Sequence, residues 1–362
     1  MASEAKEEDF LTLHELVKAA RGRLPKGIWD YLVGGTETET TLRRNRLALD
    51  SVALRPRVLR DVSRIDATSE LLGRRIRLPV ALAPVGSLES FEAGGGASVA
   101  AAAGDFGVPM FLSSVTKPGL EASAQAAPDA FRIFQLYVRG DDAFVDDFAR
   151  RAIDAGFHAF CLTVDTAIYS RRERDIASRF VKPWRTAATG QGFQAGLSWN
   201  HVRRFKDKWK IPLILKGIAT AEDAVIACDH GVEAIYVSNH GGRQLDHGRG
   251  SLDVLPEVIE AVRGRAAVYI DGSFSRGTDV IKAIALGADL VVVGRLYLYG
   301  LAAAGRAGVV RVLELLENEI TTDLGLMGVA KLAELDKSFV HPAPPVYQPH
   351  VHSAFPLIAE GY

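Results

Sequence analysis

Eight short apolar runs punctuate the chain between residues 78 and 294, and stretches with helical spacing separate most of them. The runs are LPVALAPV (78–85), VPMFLSS (108–114), FRIFQLYV (131–138), HAFCLTVD (158–165), IPLILKG (211–217), EAIYVSN (233–239), AAVYIDG (266–272) and ADLVVVG (288–294). A strand with one solvated face alternates apolar and polar residues, whereas a continuous run belongs to a parallel strand covered on both faces. DDAFVDDFARRAIDAG, TAEDAVIACDHG and GTDVIKAIALGA read as helices, and each ends at or near a glycine, a common helix stop. Eight such βα units predict an α/β fold, a (β/α)8 TIM barrel. A doubly wound open sheet is the alternative, because periodicity does not report closure.

The flanks are of a different kind. FLTLHELVKAARGRL and KGIWDYLVGG are helical patterns ahead of the first run, so residues 1–77 read as an N-terminal helical cap and 78–340 as the barrel. Residues 341–362, HPAPPVYQPHVHSAFPLIAEGY, are rich in Pro and aromatics and read as an extended C-terminal arm, for which a neighbouring subunit is one packing surface. The segment 166–199 after strand four is too long for a simple crossover. It contains TAATGQGFQAG and is expected to form an active-site loop or lid.

Composition narrows the function classes. At 362 residues and 48% hydrophobic there is ample material for a large core. A formal net charge of −1 argues against a nucleic-acid partner, which calls for clustered excess base. The acidic start MASEAKEEDF does not resemble a secretory signal. No uninterrupted apolar run approaches the roughly 20 residues of a membrane span. The expectation is a cytoplasmic protein with no membrane partner. Cys161 and Cys228 are expected to be buried reduced thiols, and no metal is expected.

Barrel chemistry sits where strands end, at the C-terminal face. Those ends read Pro84-Val85-Gly86, Ser113-Ser114, Gln135 and Tyr137, Thr163 and Asp165, Lys216, Ser238 and His240, Asp271-Gly272, and Gly294-Arg295. Apolar strands that finish in Gln, Asp, Lys, His and Arg point to a functional rim rather than to chance. In VSNHGGRQLD a buried run stops at a titratable ring, His240, and turns at once through Gly241 and Gly242 to Arg243.

SNHGGRQLD, QLYV, LTVDT, LKGI, the DG and RGTDV segments, and VGR together resemble the FMN-dependent 2-hydroxy acid oxidase and dehydrogenase family. That family includes glycolate oxidase, lactate oxidase, flavocytochrome b2 and mandelate dehydrogenase. The resemblance runs from LPKGIWDYLVGG to LMGVAKLAEL and leaves out the C-terminal arm. It implies bound FMN and oxidation of an (S)-2-hydroxy acid to the 2-oxo acid, with electrons passed to oxygen or another acceptor.

By that resemblance His240 is the active-site base, whether the proton leaves carbon or oxygen. Asp165 orients its ring, while Arg172 and Arg243 hold the substrate carboxylate. Tyr31 and Tyr137 touch the carboxylate and the substrate oxygen. Lys216 matches the lysine beside the N1–O2 edge of the flavin, where a fixed cation raises its potential. A Schiff-base role is the rival reading for a barrel lysine. Pro84, Val85, Gly86, Ser113, Gln135, Thr163 and Ser238 match groups around the flavin ring. Asp271, Gly272, Ser273, Arg276, Gly294 and Arg295 match the phosphate site. A homo-oligomer, tetramer or octamer, is implied by analogy.

The chain departs from the family in four places. In DGSFSRG, Ser275 stands where the family has a phosphate-binding arginine, which puts FMN affinity in question. FEAGGGAS replaces the family's His-Pro-Glu-Gly-Glu. Val115 replaces a tryptophan of glycolate oxidase and leaves room for a larger, apolar or aromatic substrate side chain. The lid is shorter than in glycolate oxidase. Two alternatives follow: altered FMN chemistry on a peptide or natural-product intermediate, and a degenerate flavin-binding scaffold.

Overall fold

Every apolar run forms a strand, and every strand is shorter than its run. The computed structural model describes residues 10–183, 185 and 189–362. Its barrel strands are β1 (Val80–Leu82), β2 (Met110–Ser113), β3 (Arg132–Leu136), β4 (Ala159–Thr163), β5 (Leu213–Ile218), β6 (Ala234–Val237), β7 (Ala267–Ile270) and β8 (Leu290–Val293). Neighbours pair in parallel, and the order β7-β8-β1-β2-β3-β4-β5-β6 closes on itself. Closure excludes the open sheet. Nearly all strand residues are buried, as covering on both faces requires. Residues just past several strand ends, such as Pro84, Asp165 and Asp271, bend toward the mouth.

The helices are α1 (Leu13–Arg23), α2 (Lys26–Val33), α3 (Thr40–Asp50), α4 (Gly95–Phe106), α5 (Leu120–Ala126), α6 (Asp142–Asp154), α7 (Trp199–Lys208), α8 (Ala221–Asp229), α9 (Ser251–Val262), α10 (Gly277–Ala285) and α11 (Arg295–Leu326). Side chains cap several starts: Thr12 and Glu15 form a capping box on α1, and the Asp141 and Thr220 side chains accept from Phe144 N and Asp223 N. Helices α6, α8 and α10 each stop two residues before the glycine expected to end them. Helix α11 breaks at Ala304 and Gly305, where the backbone leaves helical geometry. By length and composition α11 qualifies as a membrane span, although no uninterrupted apolar run does. Most of its apolar stretch is buried inside the protein, against α1, α4 and α10.

Helices α1 to α3 precede the barrel, followed by a hairpin (Ser69–Leu71 with Arg74–Ile76) that leads into β1. The chain's end ties back to its beginning. Val340–Pro342 pairs antiparallel with Val52–Leu54, and the residues beyond fold onto the same chain. Phe355 is buried edge-on against His14 and Tyr299. Arg276 donates to Ala354 O, and Ser353 Oγ donates to Asp50. The arm therefore packs on its own subunit, because the cap offers an apolar surface for Val351 and Phe355. Cys161 is fully buried in β4, but Cys228 on α8 is only half-buried.

Two short helices, Glu173–Ala177 and Gln191–Ala195, structure the long loop after β4. Its residues 184 and 186–188, the latter three the start of TAATGQGFQAG, lie outside the described residues, as do residues 1–9.

Candidate active site

A cavity of about 1380 Å³, counted to its open mouth, lies at the C-terminal ends of the barrel strands. It is lined from β1 by Pro84, Val85 and Gly86, and from β5 by Lys216. The β7 loop contributes Asp271, Gly272 and Ser273, and the start of α11 contributes Gly294 and Arg295. Tyr31, Tyr137, Arg172, His240 and Arg243 line it too.

His240 sits in the left-handed region, φ 60°, immediately after β6. Its Nδ1 is 3.0 Å from Asp165 Oδ1 and its Nε2 is 3.2 Å from the Tyr137 hydroxyl. A carboxylate on one nitrogen fixes a proton there and leaves the other nitrogen able to accept. Burial pulls the imidazole pKa below its ordinary 6.5, Lys216 and Arg172 add to this, and Asp165 opposes it. The ring is thus neutral at neutral pH, the state a base needs. Burial pushes Asp165 up, but His240 and Lys216 outweigh it and hold the carboxyl below the usual range.

Two glycines make this geometry possible. Gly217, φ 113°, follows Lys216 at the β5 bulge, and a Cβ there would lie 2.6 Å from Asp165 Cβ. Gly242, φ 74°, passes so close to α3 that a Cβ would meet Leu42 backbone at 2.5 Å. The turn of HGGR is therefore set by contact with the cap as well as by the pocket.

On one wall, Arg243 donates to the carbonyls of Tyr31 and Gly34, with its Cζ 4.8 Å from the Tyr31 ring centre. Arg172 donates to Arg243 O at 3.2 Å and to Gln244 Oε1 at 3.3 Å. The two guanidiniums thus share one wall. The Tyr31 hydroxyl donates to Gly86 O at 2.9 Å, linking the cap to the β1 loop.

Behind the cavity lies a hydrogen-bonded layer. Lys216 Nζ donates to Ser238 Oγ at 2.9 Å and lies 3.4 Å from Asp271 Oδ2. Burial alone would lower Lys216, but Asp271 and Asp165 hold it well above its ordinary value, so it is a fixed cation. A lysine held protonated is a poor amine nucleophile, which speaks against a Schiff-base role. Gln135 Nε2 donates to Thr163 Oγ1 at 2.9 Å, and Ser113 Oγ accepts from Val115 N. Among the described residues, the buried Gln135 Oε1, Asp271 Oδ1 and Ser273 Oγ have no hydrogen-bond partner. Unmet buried polar atoms at a cavity mouth fit a polar ligand such as FMN.

Gly294 and Arg295 begin α11, whose first turn offers unpaired N–H groups suited to an anion. Arg295 also donates to the carbonyls of Leu32, Gly34 and Gly241. Burial, then Arg243, pulls it down to about 10. Ser275 lines the cavity, but Arg276 does not, since its guanidinium turns outward to Glu319 at 2.6 Å. Of the residues singled out from sequence, Ser113, Gln135, Thr163, Asp165 and Ser238 lie behind the lining, and the Arg276 side chain is paired with Glu319 instead.

Sequence reasoning missed two groups. Asp279 accepts from Ser275 N and Arg276 N and pairs with Arg46 of α3, so it shapes the loop around Ser275. Arg139, Tyr169 and Lys182 also line the cavity. The last two lie in the loop after β4, where their residue types alone signalled nothing.

A closed parallel barrel with a His–Asp dyad, paired guanidiniums and a buried lysine at its mouth defines an oxidoreductase site for an anionic substrate beside a cofactor. Residues 20–342 match the FMN-dependent dehydrogenase family. An L-lactate oxidase of Nostoc sp. is 37% identical over 357 residues, covering 91% of this chain and 98% of that protein. A glycolate oxidase of Oryza sativa subsp. japonica is 40% identical over 354 residues, covering 92% and 96%. Among solved structures, a mandelate oxidase variant with 2-hydroxy-phenylacetamide superposes with a TM-score of 0.87 at 39% identity, covering 93% of this chain and 100% of that one. A chimeric (S)-mandelate dehydrogenase gives 0.86 at 32%, covering 91% and 99%. The chain belongs to the FMN-dependent dehydrogenase family, and it is an FMN-dependent oxidoreductase of the 2-hydroxy acid oxidase and dehydrogenase type.

Proposed function

We propose that this protein oxidises an (S)-2-hydroxy acid to the 2-oxo acid, with His240 as base and Arg172 and Arg243 holding the carboxylate. The observation that carries this reading is the dyad: a buried, neutral imidazole turned into the cavity and braced by Asp165 from behind. FMN supplies the acceptor for the two electrons. The chain's own residues do the rest. Arg172 and Arg243 fix the acid by its carboxylate, for which a planar guanidinium fork is suited. His240 Nε2 takes the substrate proton, and Asp165 stabilises the imidazolium that results. Tyr137, bonded to Nε2, is placed to pass its hydrogen bond to the substrate oxygen. Lys216 offers fixed positive charge where negative charge develops. The intact dyad and arginine pair speak against a degenerate scaffold.

Oxygen as acceptor follows the relatives named as oxidases. Free Cys161 and Cys228 suit a reducing, cytoplasmic setting. Assembly into a homo-oligomer belongs to the same reading.

The test is direct. The purified yellow protein is mixed, without air, with a panel of (S)-2-hydroxy acids. Bleaching of the flavin by any of them supports the reading, and recovery of the colour in air marks an oxidase. No bleaching by any acid rejects it.

A further inference from the structure

The C-terminal arm reaches the active-site cavity. Val351 lines it together with Phe274, Leu298 and Tyr299. Leu298 and Tyr299 stand on the early turns of α11, the helix whose start offers unpaired N–H groups. The next residue of the arm, His352, has its Nε2 3.3 Å from the Tyr299 hydroxyl and its ring centre 5.5 Å from that of Trp29 on α2. Val351 is 6% exposed, so it is a packed part of the cavity wall.

Apolar and polar anchors hold the arm there. Phe355, 1% exposed, stands edge-on to His14 of α1 and to Tyr299. Arg276, just ahead of α10, donates to Ala354 O at 3.2 Å, and Ser353 Oγ donates to Asp50 Oδ2 of α3 at 3.2 Å. Arg276 follows Ser275, which lines the cavity. One short loop thus supplies the wall with one residue and grips the arm with the next. Ordering a chain end costs conformational entropy, which these buried contacts offset. The arm's own backbone bonds near Val351 are short turns, from Ser353 N to His350 O and from Phe355 N to His352 O. A segment fixed mainly by a few side chains opens more readily than the barrel it covers.

We propose that the arm is a strap over the end of the cavity where α11 begins, and that it retains FMN by covering the cofactor's phosphate. This rests on placing that phosphate at the start of α11, and it is independent of which acid is oxidised. Val351 is an uncharged, apolar cover. It keeps water from that end, where Arg295 and the helix amides then act on an anion in a drier site and so more strongly.

The test compares FMN with riboflavin, which lacks the phosphate, by quenching of flavin fluorescence on the full-length apoprotein. Val351→Asp sets a carboxylate against the phosphate, so affinity for FMN should fall at least about tenfold more than affinity for riboflavin. Val351→Lys should keep or raise the FMN preference. Phe355→Ala unseats the strap, and FMN should leave the holoenzyme at least about tenfold faster. Phe339→Ala is the control for lost packing, because Phe339 is buried against Arg57 and Arg60 and does not line the cavity. It should lower the melting temperature and leave FMN release unchanged. Hydrogen exchange in the unsubstituted protein decides the matter if the variants do not fold. The Ser353 and Phe355 amides should exchange more slowly with FMN bound, since a ligand beneath the strap stabilises its closed position. An FMN preference that is the same in Val351→Asp and Val351→Lys, release unmoved in Phe355→Ala, or amides indifferent to FMN overturns the strap. An FMN preference unmoved in Arg295→Met defeats the placement of the phosphate and the strap with it. Bleaching by a 2-hydroxy acid in the unsubstituted holoenzyme leaves the oxidation reading standing in every one of these cases.

Discussion

His240 Nδ1 lies 3.0 Å from Asp165 Oδ1, and the two residues come from the ends of β6 and β4, 75 positions apart in sequence. Their contact depends on a third strand, because β5 runs between them and Gly217 on it leaves the space that Asp165 fills. Asp165→Asn keeps the shape and removes the charge. FMN reduction by substrate should slow by at least about 100-fold, while flavin content is unchanged. Stopped-flow reduction together with the absorbance ratio of flavin to protein checks both halves.

A base acts when unprotonated, and burial, Lys216 and Arg172 hold His240 below 6.5. The kcat/KM profile should therefore be flat through neutral pH and fall as pH drops through a value below 6.5. Arg172 lowers this pKa and Asp165 raises it. The inflection should consequently move up in Arg172→Met and down in Asp165→Asn. Opposite movements in the pH–rate profile would contradict the electrostatics.

Arg46 and Asp279 form a buried bidentate pair, with nitrogen–oxygen distances of 2.8 and 2.7 Å. Removing one partner from such a pair costs about 3–5 kcal/mol. Asp279→Ala should lower the melting temperature and, because the Ser275 and Arg276 amides lose their acceptor, loosen FMN. Thermal unfolding with and without added FMN, and the flavin dissociation constant, measure the two effects.

Gly217→Ala should be destabilising by about 1–3 kcal/mol from backbone strain and crowding. It should also slow flavin reduction, since Asp165 has to move. Gly231→Ala is the control: it also has positive φ, but nothing lies within 4 Å of the added Cβ. It should lose some stability and keep its reduction rate.

The barrel was legible because both-face burial writes itself into sequence as unbroken apolar runs, and β1 to β8 followed from that alone. Closure was not, since it is decided by β8 pairing with β1 across more than two hundred residues. His240, Asp165 and Lys216 could be read because strand ends are where barrel side chains reach the mouth. Arg276 misled for the opposite reason. Its partner Glu319 lies on α11, and nothing local in DGSFSRG announces that pairing. Lys182 and Asp279 stayed hidden because their positions rest on contacts with Asp175 and Arg46 that no single-segment pattern encodes.

The central claim is that His240 takes the substrate proton and has no part in holding FMN. Rapid anaerobic mixing of the His240→Ala holoenzyme with the best acid from the panel tests it most directly. The account predicts a yellow protein with normal flavin content whose reduction is at least about 100-fold slower than that of the unsubstituted enzyme. Reduction at the unsubstituted rate would contradict it.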